Sequence, residues 1–246
     1  FEVSKTDNRT DIEKFVLDGD GFGARGDLSL SGSQLSAAGF SSMKLSPADN
    51  FAVTLKQSKG VYDISVTGET ADLRPVISRM RNTSGSGASE KPSEGGATVR
   101  LKLSRLIGFN DEAIRNASLL LTIREGDVKR VDLSGVTNNG QAVVGETRSG
   151  NGRDIISLTS GDAGSLARFA DLYSHMRGGL LNLQFETETG SDWNGSVDVR
   201  NFNVVNEQRL QSMVNTPSGE GGRSLNSAVK GNVDISSSKF QRGFAR

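Results

Sequence analysis

Cysteine is absent from this sequence of 246 residues, and histidine occurs only once. Disulfides, thiolate metal sites and a cysteine nucleophile are therefore excluded. A catalytic zinc site normally takes three protein ligands and commonly uses several histidines, so a single histidine argues against one. We predict neither a bound metal nor a cofactor.

An excess of one charge and a long apolar run are missing as well. Lysine plus arginine equal aspartate plus glutamate at 29 each, and like charges form no long block, so we predict no nucleic-acid partner. No apolar run approaches the roughly eighteen residues of a membrane span, and no signal peptide opens the chain. The first residue is Phe1 rather than methionine, which favours a mature product or a piece of a longer protein.

Proline is scarce at 4 residues whereas glycine is abundant at 30, a composition typical of many tight turns between strands. Short apolar runs alternate with polar residues such as Lys102 and Asp198, which is the period of a half-buried strand. They predict a mainly β protein built as a long antiparallel meander. The runs are Phe51-Val53-Leu55, Ile64-Val66, Val99-Leu101-Leu103, Leu119-Leu121-Ile123, Val131-Leu133, Leu181-Leu183-Phe185 and Val197-Val199.

The stretch DGDGFGARG, residues 18–26, contains the glycine spacing of a dinucleotide-binding fingerprint. That fingerprint requires a strand, a glycine turn and then a helix. Here Leu28 and Leu30 alternate with polar residues, so we predict a β-hairpin instead. A calcium loop is equally disfavoured, because Asp18 and Asp20 lack the further oxygen ligands and the closing glutamate.

Three segments change to helical spacing, with apolar residues three and four positions apart. We predict helices over 72–81 and 163–174, and a third that begins after Asn206 as N-cap. Their apolar stripes are Leu73, Val76, Ile77 and Met80; Leu166, Phe169, Ala170 and Tyr173; and Leu210, Met213 and Val214.

The first two helices belong to an internal repeat with a period of about ninety residues. YDISVTGETADLRPVISRM superimposes on DIISLTSGDAGSLARFADLY, with Ile64 on Ile156, Val66 on Leu158 and Ala71 on Ala163. We therefore predict a first strand set with its helix over 1–81, a flexible Gly/Ser-rich loop over 82–96, and a second set with the start of a third over 97–246.

His175 is the one candidate for the base of a serine-type catalytic triad. It could pair with Asp171 and activate a serine such as Ser165. The alternative, which we favour, is a cation at a helix C-terminus that stops at Gly178-Gly179.

Three other candidates are also weaker than their structural alternatives. Glu186 and Glu188 could act as the catalytic carboxylate pair of a glycosidase. Exposed carboxylates at strand edges or tips, which keep a sheet soluble, are the more common explanation. Trp193 could stack against a sugar ring, but we favour an aromatic side chain that packs at the start of a strand. GDAG at 161–164 could bind an anion, but Asp162 as N-cap places a carboxylate there. We predict no enzyme.

Three segments together resemble the AsmA-like superfamily of bacterial envelope proteins, closest to the large YhdP-type branch and its relatives in the TamB group. They are DAGSLARFADLYSHMRGGLLNLQ from Asp162, NFNVVNEQRLQSMV from Asn201 and YDISVTGETADLRPVI from Tyr62. The similarity runs from about Asp11 to the end, except for the Gly/Ser-rich insertion at 82–96.

The resemblance implies a periplasmic part of a bridge-like protein that is anchored in the inner membrane of a Gram-negative bacterium. Its fold would be a long curved antiparallel sheet, shaped as a groove, with repeated strand sets each closed by a short helix. Its partners would be phospholipid and, through parts outside this chain, the inner and outer membranes. The superfamily implies no catalytic residues.

If the sheet curls, its apolar face would hold acyl chains and leave the charged head groups in water. The alternative is a non-catalytic structural or adhesive envelope module that buries the same face in a closed core. The residues predicted to line the groove are Leu101, Leu103, Leu119, Leu121, Ile123, Val131, Leu133, Leu181, Leu183 and Phe185.

Overall fold

In a computed structural model, which describes residues 1–83, 95–150, 152–188 and 194–206, the chain forms one curved, unclosed β-sheet. Strands make up 71% of the described residues, which also contain two short helices. The sheet has 13 strands, and their order in space follows their order in the chain. The predicted mainly β, curved antiparallel fold is thus confirmed.

The alternating runs found in the sequence all lie within strands. The helices are α1 (Arg74–Thr83) and α2 (Ala163–Phe169). The strands are β1 (Glu2–Thr6), β2 (Arg9–Gly19), β3 (Phe22–Ser31), β4 (Gln34–Lys44), β5 (Asn50–Ser58), β6 (Val61–Asp72), β7 (Gly96–Ile107), β8 (Ala113–Arg124), β9 (Asp127–Val136), β10 (Ala142–Gly150), β11 (Arg153–Ser160), β12 (Met176–Glu188) and β13 (Asn194–Val204).

Every neighbouring pair of strands is antiparallel except β6 and β7, which run parallel with Val61 opposite Gly96 and Asp72 opposite Ile107. The chain leaves β6 through α1 at one end of the sheet, and β7 starts from the other end. Parallel neighbours need such a crossover connection, whereas antiparallel ones need only a turn. We call the end at which β6 and β11 lead into α1 and α2 the helix end.

Bulges explain why the sheet bends. The pairing of β2 with β3 shifts between Ile12 and Phe15, where Lys14 takes a positive φ of 53° and its N–H donates to the Asp27 carboxylate at 2.8 Å. A second shift in β8 coincides with Asn116, whose φ is 50°. Each bulge adds an unpaired residue that bends and twists its strand.

A buried cluster lies at the helix end. Leu103, Leu106 and Ile114 from the strands surround Phe169 of α2 there, together with Ala71 and Ala117. The Phe169 ring lies directly over Gly108, where an added Cβ would come within 2.3 Å of it. Glycine is therefore required for this contact between helix and sheet.

The two helices differ from their predicted extents. α1 spans Arg74–Thr83 rather than 72–81, and Val76 and Met80 of its apolar stripe are 52% and 67% exposed. α2 ends at Phe169 rather than at 174, because the chain turns at Asp171, which adopts a left-handed φ of 53°. In α2 the apolar spacing continues to Tyr173, but the helical backbone ends at Phe169.

Some predictions lie partly or wholly outside the described residues. The third helix, beyond Asn206, is outside them. So is most of the Gly/Ser-rich loop at 82–96, although Asn82 belongs to α1 and Gly96 to β7. The division at 81 and 97 stays a prediction, and β6 and β7 pair across it within one sheet.

Candidate functional site

The ten residues predicted to line a groove lie on one face of the sheet. Direct cross-strand partners share a face, and Leu119 pairs with both Leu101 and Leu133, while Leu121 pairs with Val131. Leu183 joins the same face through Leu158. Of the ten, Leu103 is 2% exposed, Phe185 is 40% exposed and the rest are half-buried.

This face carries a continuous line of paired residues across β2 to β13, which we call the apolar row. With strands about 4.8 Å apart, it is roughly 50 Å long. Every member is apolar or glycine, and all are half-buried except Gly145, which is buried. The apolar row comprises Phe15, Gly26, Phe40, Val53, Val66, Leu101, Leu119, Leu133, Gly145, Leu158, Leu183 and Val197.

A second row runs beside it from Val3 in β1 to Val131 in β9. It includes Leu28, Leu55 and Leu121. The predicted set of ten missed the half of both rows that lies in β1 to β6. Alternation alone could have found those members, but register was needed to align them, and nothing in the sequence marks Gly26 or Gly145 as members.

Half-burial along the apolar row has a structural cause. Among the described residues, the strands contact their neighbours in the sheet, and the two helices pack against the apolar cluster at the helix end. A sandwich core would place a second sheet there and bury these side chains fully. Within the residues that the structure describes, no second layer covers most of the apolar face.

The opposite face is polar and carries many ion pairs between residues two apart in one strand. Examples are Arg9 with Asp11 at 2.8 Å and Lys129 with Asp127 at 3.0 Å. Two adjoining shallow depressions of about 310 and 370 Å³ lie on this face, both lined by Thr67, Lys102 and Ser118. These charged side chains therefore pair with one another on the face opposite the apolar row.

A buried polar network fixes α2 to the sheet. Arg168 donates to Glu112 through Nε at 2.8 Å and through a terminal nitrogen, and the Ser165 hydroxyl donates to the same carboxylate. Asp162 caps the helix by accepting from the Ser165 N–H at 2.8 Å, as predicted. We call Glu112, Ser165 and Arg168 the clasp; sequence reasoning missed it because its members lie 53 and 56 residues apart.

The candidate catalytic residues are not brought together. Ser165 donates to Glu112, Asp171 accepts from Arg81 at 2.7 Å, and the Nδ1 of His175 lies 2.9 Å from the Val205 carbonyl oxygen. His175 is also outside α2, so its interpretation as a helix C-terminal cation is wrong. Gly178 and Gly179 lie in β12 with positive φ, where they do not end a helix.

The remaining motifs serve as structural features or lie elsewhere. The glycine fingerprint is the predicted hairpin, with Gly19 paired to Phe22 across a two-residue turn. Glu186 is exposed near Arg153, at 3.9 Å, and Trp193 is outside the described residues. Within the described ranges, no cluster of three or more acidic or histidine side chains could hold a metal ion.

Comparisons with known proteins found no matching protein family, no matching curated protein and no matching solved structure. In the described part of the chain, neither helix has the length and apolar character needed to cross a bilayer. The described residues thus form a single-layer, curved and mostly antiparallel sheet with one apolar face.

Proposed function

We propose that the protein binds phospholipid acyl chains on its apolar face and acts as a periplasmic module of a bridge-like lipid-transfer protein of the AsmA-like superfamily. In this proposal the head group stays in water while the tails follow the apolar row. Partners at the inner and outer membranes would be reached through parts outside this chain.

The observation that carries the proposal is the apolar row itself. Twelve consecutive strands contribute an apolar residue or glycine to one line, and no described second layer covers most of it. An apolar face of this size needs a cover of protein or of ligand. Acyl chains have the shape and chemistry to cover a long, narrow, featureless strip.

The free energy of burying acyl chains on this face is large enough to hold a lipid. Burying a methylene group contributes about 0.8 kcal/mol, so a dozen methylenes contribute about 10 kcal/mol without any specific polar contact. Between Val53 and Leu133, moving a chain along the row by one strand replaces one half-buried valine or leucine with another. Binding strength would therefore change little with position along this stretch, which favours movement along it.

Crosslinking in cells tests the proposal at single-residue resolution. A photo-reactive amino acid at Leu121 or Leu183 is expected to label phospholipid, because both side chains lie on the apolar face. The matched controls are Thr122 and Gln184, the next residues along the same strands, which lie on the polar face and are expected not to label. Native mass spectrometry of the purified chain should show bound phospholipid.

Absence of phospholipid in the purified protein, together with equal labelling at Leu121 and Thr122, would contradict lipid transfer. A structural module with a closed core is the second candidate. The buried cluster around Leu103 favours it at the helix end, and it predicts that the face is covered by protein along its whole length.

A further inference from the structure

The two helices at the helix end differ in how deeply they are buried. In α2, Ala163, Gly164, Ser165, Arg168 and Phe169 are buried, and the clasp fixes the helix to the sheet. In α1, no residue from 74 to 82 is buried. One helix is thus an integral part of the fold, while the other lies on its surface.

The first turn of α1 is held firmly. The Leu73 N–H donates to the Ile107 carbonyl at 2.9 Å, and Arg74 forms a two-pronged ion pair with Asp72, the closer contact being 2.7 Å. The Asp72 N–H in turn donates to Asp49 at 2.7 Å. The backbone at 72–74 is therefore a fixed point from which α1 projects.

Arg81 ties the far end of α1 to the turn that follows α2. Its guanidinium donates to the Asp171 carbonyl at 2.9 Å and to the Asp171 carboxylate at 2.7 Å, and it lies 5.8 Å from the centre of the Phe109 ring. Both Arg81 and Asp171 are about two-fifths exposed, at 44% and 40%. An exposed ion pair of this kind is weak and opens readily in water.

The inner side of α1 covers apolar surface that continues the apolar row. Leu73 and Ile77 pack against the buried cluster around Leu103, and Val66 and Leu101 of the row pack against the same cluster. Ile77 thus occupies a place that is chemically suited to a hydrocarbon chain.

We propose that α1 is a hinged plug, which pivots at residues 72–74 when the Arg81–Asp171 contact breaks and uncovers an acyl-chain position beside Val66 and Leu101. The identity of the ligand rests on the proposed function, whereas the hinge motion does not. Opening would break the Arg81 contacts with Asp171 and Phe109 and would expose Ile77. A ligand that binds the open state more tightly than the closed one can shift the population towards it.

Thiol labelling tests the hinge, since the natural chain has no cysteine. The thiol of an Ile77→Cys variant is expected to react with a maleimide at least tenfold faster when Arg81→Ala is added. A Leu166→Cys variant reports on α2, and its rate should not change with Arg81→Ala. Val76→Cys supplies the rate of an α1 position that is already exposed. Equal labelling of Ile77→Cys with and without Arg81→Ala, or a parallel rise at Leu166→Cys, would overturn the plug.

Binding of parinaric acid, a fluorescent fatty acid, tests what the plug covers. An Arg81→Cys/Asp171→Cys variant, joined by a short bismaleimide, is expected to bind it at least fivefold more weakly than the same variant left unjoined. Equal binding by the joined and unjoined forms would overturn occlusion by α1. Absence of binding in every form would contradict the proposed function instead, and the labelling rates would still decide the hinge.

Discussion

Gly108 shows how a single missing side chain positions a helix. The Phe169 ring covers this residue, and a Cβ there would lie 2.3 Å from the ring. The same arrangement recurs where the Phe22 ring covers Gly19 and the Phe185 ring covers Gly195. Aromatic rings thus take the place of the absent side chains, which shields backbone that would otherwise be open to water.

Gly108→Ala is expected to lower the free energy of unfolding by about 1–3 kcal/mol, because the added methyl overpacks the buried ring. Gly39→Ala is the matched control, since nothing lies within 4 Å of a Cβ at that strand position. Urea denaturation of both variants measures the difference. Equal stability of the two would show that Phe169 moves aside without cost.

Asp72 makes the anchorage of α1 dependent on pH. Hydrogen bonds from the Arg74 side chain hold the pKa of the Asp72 carboxyl below its usual value. The unfolded chain therefore binds this proton more readily, so the stabilisation is present at neutral pH and is lost as the pH falls through the carboxyl range.

Asp72→Asn is accordingly expected to lower the melting temperature at about pH 7 and to have a smaller effect at about pH 2, where more of the Asp72 carboxyl is protonated. Thermal melts of the two proteins at each pH provide the measurement. A loss of the same size at both pH values would assign the effect of the substitution to packing rather than to charge.

At the scale of elements, α2 is held by chemistry that is both buried and fully paired. Arg168 and Glu112 are 9% and 8% exposed at their side chains, and the second carboxylate oxygen accepts from Ser165 and from Asn138 at 3.3 Å. Removing one partner from such a pair leaves an uncompensated charge, whereas removing both does not.

Glu112→Ala is expected to cost about 3–5 kcal/mol of unfolding free energy, and the double variant Glu112→Leu/Arg168→Met substantially less. Glu146→Ala, which breaks an exposed pair with Arg148, should cause a much smaller loss. Chemical denaturation of the natural chain, the single variants Glu112→Leu and Arg168→Met, and the double variant closes the cycle. If the double variant loses as much as the two single losses combined, the two residues act independently and do not form a clasp.

At the scale of the whole molecule, the apolar face is buried like a core at the helix end and is partly exposed elsewhere. Leu103 is 2% exposed within the buried cluster, whereas Leu121 is half-buried on the second row. A carboxylate at Leu103 would be taken out of water without a partner, but one at Leu121 can stay hydrated.

Leu103→Asp is therefore expected to unfold the protein, with a loss of about 4 kcal/mol or more, while Leu121→Asp loses about 1–2 kcal/mol and keeps a cooperative melt. Under the proposed function, Leu121→Asp also loses its bound phospholipid in native mass spectrometry. Unfolding of both variants alike would indicate that the face around Leu121 is covered, as the structural alternative requires.

The sequence by itself determined the strands, their two faces, the hairpin at 18–26 and the Asp162 cap, because each depends on residues within a few positions of one another. Tertiary structure decided the rest. Cross-strand register aligned Phe15 with Val197 across the sheet, the crossover made β6 and β7 parallel, and contacts over more than fifty residues assembled the clasp. The helices ended where the backbone turned rather than where the apolar period stopped, since a local pattern reports which side chains favour burial and not what lies opposite them.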